Sequence, residues 1–253
     1  MIKSAAISDV GRKRQTNQDC FLINAESQLY LLADGMGGHE AGAEAAEIAV
    51  KTIDGFVRLA AGAAEVTWPF GYNIQTSFEH NVLQTALLLA NLKVCRAADE
   101  IGTDVGIGST VVAAWVRENS LFWTHLGDSR LYLLRGGSLR QLSEDDSWVQ
   151  EQLKLGTIAP EEVESHTLRH VVTRAVGTRE RLETVVRAES IESGDLFMLC
   201  CDGLSNQVTH SALERLLGSE QDNLEHVCQA LIRAANEAGG EDNVTVVLFK
   251  PTI

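Results

Sequence analysis

Basic residues are scarce in this sequence: 21 Lys and Arg stand against 35 Asp and Glu over 253 residues, a formal charge of −14. Binding along a polyphosphate backbone is driven by Lys and Arg that neutralise phosphates, and neither a basic groove nor a series of stacking aromatics is evident. Nucleic acid is therefore not expected as a partner. Long apolar runs are missing too. A membrane helix needs roughly 18 uninterrupted apolar residues, and the greasiest stretch, residues 82–92, is broken by Gln84, Thr85 and Asn91. No membrane span is expected. Cysteine is sparse and unpaired by motif: Cys20, Cys95, Cys200, Cys201 and Cys228 make an odd number without a CxxC pair. Such a set fits a reducing compartment, where the thiols act as small hydrophobes, better than a disulfide framework. Residues 1–9 are too short and too soon charged for a secretory signal, so a cytoplasmic location is expected. No internal repeat, low-complexity tract or interdomain linker interrupts the chain.

What remains is 45% hydrophobic, enough for one large globular domain or two small ones. Short apolar bursts at residues 3–8, 20–24 and 29–33 end in polar or Gly-rich turns and read as strands. Ala41, Ala45, Ile48, Ala49, Ile53 and Phe56 recur at helical spacing over residues 40–61, and a second helix is predicted over residues 74–101. Residues 109–116, 120–125 and 131–135 predict an antiparallel meander. Residues 143–177 read as charged and helical in flavour. Strands at 195–201 and 244–249 follow, separated by helices near 211–217 and 224–238. Strands and helices in blocks favour an α+β layered domain with antiparallel sheets.

Asp19, Asp34, Asp128, Asp202 and Asp242 share a context, each at or beside the end of an apolar run or next to glycine. Any Asp-Gly alone reads as a turn. Five such sites admit a second reading: if the strand ends meet at one edge, the carboxylates converge and require a counter-cation. All-oxygen ligation selects Mg²⁺ or Mn²⁺ over zinc. Just before Asp19 stand Arg12, Lys13 and Arg14, either a solvated loop or a guanidinium placed to hold two phosphoryl oxygens.

Seven ordered strings carry these residues: Ser8-Asp9-x-Gly11-x-x-Arg14-x-x-Asn17-Gln18-Asp19, Ala33-Asp34-Gly35-Met36-Gly37-Gly38-His39, Gly108-Ser109-Thr110, Gly127-Asp128-Ser129-Arg130, Thr173-Arg174-Ala175-Val176-Gly177, Cys201-Asp202-Gly203-Leu204 and Asp242-Asn243-Val244-Thr245. Together they resemble the metal-dependent protein Ser/Thr phosphatases of the PP2C (PPM) family, bacterial branch. The resemblance implies an α+β fold, a central β-sandwich of two antiparallel sheets flanked by helices. It implies one domain over residues 1–253, with a flap at about 143–177. It also implies two Mn²⁺ or Mg²⁺ ions per chain, with a weaker third. By the same resemblance, Asp34 bridges the two ions and the Gly35 carbonyl binds one of them. Asp202 and Asp242 ligate the other, Asp19 acts through metal-bound water, and Asp128 joins Asp202 at the third. Arg14 grips the phosphate. A metal-activated water then attacks phosphorus at neutral pH with no covalent enzyme intermediate.

The resemblance further implies phosphorylated Ser/Thr proteins as substrates, opposition to a bacterial Hanks-type Ser/Thr kinase, and a monomer. Compact members also resemble phosphatases of type VI secretion control. Several positions depart from the pattern. Met36 stands where eukaryotic relatives place a histidine, leaving His39 or a metal-bound water as general acid. Gln18 replaces an acid, Glu144-Asp145-Asp146-Ser147 gives a more acidic flap, and Cys201 replaces serine, either as an inert buried group or as an oxidation-sensitive thiol. The alternative function is a catalytically silent phosphoprotein-binding module of the same fold.

Overall fold

The computed structural model describes residues 2–38, 40–63, 65–101, 107–163, 165–178, 182–219 and 223–251. Two antiparallel sheets lie face to face. The first contains β1 (Lys3–Asp9), β11 (Val244–Lys250), β10 (Leu196–Cys200), β7 (Arg130–Arg135) and β8 (Ser138–Gln141), in that order. The second contains β2 (Asp19–Asn24), β3 (Leu29–Met36), β5 (Val111–Arg117), β6 (Ser120–Leu126) and β9 (Arg187–Ser190), with the two-residue β4 (Gly108–Ser109) pairing β3. Helices α1 (Glu40–Gly62) and α2 (Phe78–Ile101) cover the outer face of the second sheet; α5 (His210–Ser219) and α6 (Leu224–Ala238) cover the first.

The side-chain period of a strand explains why the central strands read as continuous apolar runs. In β3, Leu29, Leu31 and Ala33 face the helices, while Tyr30 and Leu32 face the opposite sheet. In β11, Val244, Val246 and Leu248 face α6, and Val247 and Phe249 point between the sheets. Tyr30 stacks on Phe249 with ring centroids 3.9 Å apart, and Phe197 stacks on Phe249 at 5.1 Å. This aromatic column ties the two sheets together.

Two sequence-based expectations fail here. The three strands after residue 108 are not one meander: β6 pairs β5, but β7 leaves for the other sheet and pairs β10 and β8. Residues 127–129 are therefore a crossing between sheets rather than a hairpin, and a periodicity-2 pattern cannot tell the two apart. Among their described residues, 143–177 also hold less helix than their charge pattern implies, only α3 (Trp148–Leu155) and a 3₁₀ turn at Pro160–Glu162. That segment leaves and rejoins the sandwich at one place, where Trp148 N–H donates to the Val171 carbonyl (2.8 Å) and Thr173 N–H to that of Asp146 (2.8 Å).

The antiparallel registers put seven strand termini, and Asp34 two residues short of the end of β3, at one end of the sandwich. Asp9 pairs with Val244, Cys200 with Arg130, Asp19 with Asp34, and Val111 with Leu126. The carboxylates at these termini are consequently brought to a single edge.

Candidate metal centre and active site

Asp34 lies inside β3, not in a turn, and its backbone is fully engaged. Its N–H donates to Thr110 Oγ1 (3.2 Å), and its carbonyl accepts from Thr110 N–H (2.9 Å) and Ser109 Oγ (2.9 Å). Thr110 Oγ1 in turn lies 2.7 Å from Ser129 Oγ, so the strand of Asp34 is tied to the crossing that carries Asp128. The side chain of Asp34 is left to face its own kind. Its pKa is driven well above the ordinary carboxylate value by burial first, then by the charges of Asp19, Asp202, Asp128 and Asp242. The charges of the other four proposed carboxylates are thus all felt at Asp34.

The same pressure appears at its neighbours. Burial, opposed by a bond from Thr245, moves Asp19 up to about 6. Burial and the charges of Asp202 and Asp145 move Asp128 up to about 7. Asp202 is raised by burial and by Asp242, while His170 and Arg130 oppose the shift. Like charges held together in this way disfavour joint ionisation, a strain that a cation at their centre relieves.

Asp19 supplies the sharpest test of fit. Its Oδ2 accepts from Thr245 Oγ1 at 2.6 Å, but its Oδ1 is buried with no hydrogen-bond partner. A buried carboxylate oxygen without a donor costs free energy. A carboxylate oxygen of Asp19 and one of Asp34 lie within 4.8 Å of each other and of Cys201 Sγ, and carboxylate oxygens are the donors hard divalent ions take. The residues present fit Mn²⁺ or Mg²⁺.

Several residues of the quoted strings have supporting roles that their spacing did not assign. A one-way chain orients Asp19: Asn17 Nδ2 donates to Ser8 Oγ (2.7 Å), Ser8 Oγ lies 2.7 Å from Thr245 Oγ1, and Thr245 ends on Asp19. Since each hydroxyl carries one proton, Ser8 must donate to Thr245 and Thr245 to Asp19, which favours the carboxylate form of Asp19. Asn243 clamps the loop of Arg14: its Oδ1 accepts from Gln18 N–H (2.8 Å), and its Nδ2 donates to the carbonyls of Val10 (3.1 Å) and Thr16 (3.0 Å). Asn243→Ala removes three part-buried hydrogen bonds from this loop. It is expected to lower stability by about 1–3 kcal/mol and to raise KM for phosphopeptide, as checked by thermal melts and steady-state kinetics.

Glycine is required where elements touch. A Cβ on Gly35 would stand 2.0 Å from the Gly42 carbonyl oxygen of α1, and one on Gly203, in the short helix α4 (Asp202–Ser205), 1.9 Å from that of Asn243.

Arg14 reaches the cluster, but its partner is Asp242 (Nη2 to Oδ2, 2.8 Å), and that contact is the chief cause of its raised pKa. The expectation that Asp146 makes the flap more acidic is corrected. Asp146 is buried, pairs with Arg174 through Oδ1, and accepts the Gly127 N–H through Oδ2 at 3.1 Å. Its charge is neutralised inside, next to the turn of Asp128. Asp145 is likewise held by Arg130 through Nε and Nη2 (2.9 and 2.7 Å). His39 lies outside the described residues. Among the described residues, His170 is one of the groups that oppose the shift of Asp202, and nothing in the strings pointed to it.

The family profile described as Protein phosphatase 2C matches residues 11–245. The chain belongs to the protein phosphatase 2C family. Protein phosphatase PhpP of Streptococcus pneumoniae is 34% identical to it over 250 residues, 96% of this chain and 94% of PhpP. The catalytic domain of the phosphatase PstP, solved in complex with two manganese ions, matches with a TM-score of 0.82 at 31% identity, covering 100% of this chain and 99% of that one. PppA, a key regulatory component of T6SS in Pseudomonas aeruginosa, matches with a TM-score of 0.80 at 34% identity, covering 98% and 97%. The enzyme is a metal-dependent protein serine/threonine phosphatase whose substrates are proteins phosphorylated on Ser or Thr. Among its described residues, no helix is long and apolar enough to cross a membrane.

Proposed function

We propose that this phosphatase works through a binuclear centre with Asp34 shared between two Mn²⁺ or Mg²⁺ ions, and that it reverses phosphorylation by a Hanks-type Ser/Thr kinase. The observation that carries the first part is the convergence of Asp19, Asp128, Asp202 and Asp242 on Asp34. Asp34 and the Gly35 carbonyl would hold one ion, Asp202 and Asp242 the other, and Asp128 with Asp202 a weaker third. Asp19 would act through water at the same centre. When bound, the ions supply an activated water at neutral pH and positive charge against the phosphoryl oxygens.

The chain's own residues do the rest. Thr245 and Ser8 fix the orientation of Asp19, and Ser109 and Thr110 fix that of Asp34. Arg14, held at the rim by Asp242, would turn its guanidinium to two phosphoryl oxygens if Asp242 held an ion. Residues 143–177 would form the flap of the single domain over residues 1–253, with Asp146 and Arg174 anchoring it beside Asp128. The retention of all five aspartates opposes the silent-module alternative.

Arg14→Lys removes the two-pronged geometry but keeps the charge. It is expected to raise KM for a phosphothreonine peptide by about tenfold with a smaller change in kcat. Metal content after Mn²⁺ equilibration tests the binuclear centre: two or three ions per chain are expected, and a single ion contradicts it. Incubation with an autophosphorylated Hanks-type kinase from the same organism tests the second part, and the reading predicts loss of its phosphothreonine.

A further inference from the structure

Strand β1 is an outer edge of the first sheet and bonds to β11 on one side only. Thr245 shows which of its backbone groups are left over. The Thr245 N–H goes to Cys201 Sγ (3.1 Å) and its carbonyl accepts from Cys201 N–H (3.3 Å), so both point toward β10 and away from β1. Ser8 stands opposite Thr245, and in an antiparallel ladder such a pair leaves the backbone groups of both residues facing outward. Ala6 and Ser4, two and four residues back, face the same way. Among the described residues, no element supplies these N–H and C=O groups with a partner.

Bare edges are normally blunted by charge or proline. At the opposite edge of this sheet β8 carries Arg140, but residues 4–8 of β1 are Ser-Ala-Ala-Ile-Ser, with neither. Beside them runs a groove of about 330 Å³, lined by residues 3–6 of β1 and residues 223–225 at the start of α6.

We propose that this edge is an interaction surface for a second copy of the chain, with the two β1 strands pairing antiparallel about a two-fold axis through Ala6 and joining the two first sheets into one. This departs from the monomer that the family resemblance implies, and it is independent of the catalytic reading. The pattern of β1 chooses the occupant, since a two-fold contact must be complementary to itself. About Ala6, the outward groups of Ala6 bond those of Ala6, and the groups of Ser4 bond those of Ser8. Lys3 of each copy then stands opposite Asp9 of the other, and Ala5 opposite Ile7. Asp9 Oδ1 is taken by Gly11 N–H (2.9 Å) and Asn236 Nδ2 (3.1 Å), whereas its Oδ2 has no partner among the described residues. The contact therefore gains two opposite-charge cross-strand pairs. Ala5 and Ile7 pack on the α6 side of the sheet, so Ile7 of the second copy falls beside the groove, against Leu224. An axis through Ser4 or Ser8 satisfies the backbone equally but loses both charge pairs.

The test is sedimentation velocity on the full chain from about 1 to about 300 μM, a span that reveals micromolar dissociation constants. Each chain carries −14, a repulsion screened beyond about 8 Å at about 0.15 M salt, where the measurement is made. The mass is expected to climb from one chain toward two. Ala6→Pro removes an outward N–H without taking a bond from β11. It should keep the protein a single chain at every concentration while Mn²⁺-stimulated hydrolysis is retained. Lys3→Glu and Asp9→Lys each set like charges opposite one another and should each weaken self-association about tenfold. An equal mixture of these two variants should restore it, because both pairs in the mixed dimer are again opposite in sign. A merely structural effect of either substitution is not cured by mixing, so the proposal stays testable even if Ala6→Pro folds poorly. Hydrogen exchange should slow with concentration at the amides of Ser4, Ala6 and Ser8, while those of Ala5 and Ile7, already bonded to β11, stay protected throughout. A wild type that remains one chain up to about 300 μM overturns the proposal and leaves the edge to a strand of another protein. Association that persists in folded Ala6→Pro, or a mixture no tighter than its components, overturns it as well.

Discussion

Asp34→Ala is expected to lower Mn²⁺-stimulated hydrolysis of a phosphothreonine peptide by about 10³-fold or more, with a similar loss for Asp202→Ala. Metal stabilisation of a phosphoryl transition state is worth several kcal/mol, and about 4 kcal/mol corresponds to that factor. Stability should move the other way. The Asp34 carboxyl is ionised only against burial and four neighbouring carboxylates, so the isosteric Asp34→Asn removes a repulsion without opening a cavity. The metal-free Asp34→Asn protein is expected to melt above the metal-free wild type at neutral pH. A site built for function and strained in its empty form gives this trade. A variant that loses both activity and melting temperature would mark Asp34 as a structural residue instead.

The second large effect is the pH dependence of that strain. Asp19 and Asp128 titrate at about 6 and about 7 in the folded metal-free protein, and Asp34 and Asp202 are also raised from the ordinary value of 3.8. An acid whose folded pKa is raised gives stability that is complete below its unfolded pKa and is lost as pH climbs through the folded one. These groups therefore weaken the metal-free protein progressively from about pH 4 to about pH 7. A bound divalent ion reverses the penalty, since the ionised carboxylates become its ligands. At about 100 times its Kd, one ion adds about 2.7 kcal/mol, or on the order of 5–10 °C in melting temperature for a chain of this length. Melts with and without Mn²⁺ should show a gap that widens between about pH 5 and about pH 8. A gap independent of pH would separate metal binding from these carboxylates.

Much of the fold was legible because its signals are local. Helix α6 matches the predicted residues 224–238, and β11 extends the predicted strand by a single residue, Lys250, since apolar period and flanking turns specify both. The role proposed for Asp34 came from the family resemblance of its string. What local signals do not carry is pairing across the sandwich. The β6-to-β7 segment reads the same whether the chain turns back or crosses to the other sheet, so spacing alone did not carry Asp128 toward Asp202 and only the resemblance joined the two. Partners chosen at long range were hidden for the same reason. Thr245 lies 226 residues from Asp19 and Arg174 lies 28 from Asp146, and no spacing rule joins them. The acidity of residues 144–146 looked like surface charge because composition does not reveal that Arg130 and Arg174 neutralise it.

The central claim is that these carboxylates are charge awaiting cations, and Mn²⁺ titration of the chelator-treated enzyme against a phosphothreonine peptide tests it most directly. Hydrolysis should be absent without the ion, rise with Mn²⁺ and saturate with two or more ions per chain. Full hydrolysis in excess chelator would contradict the claim.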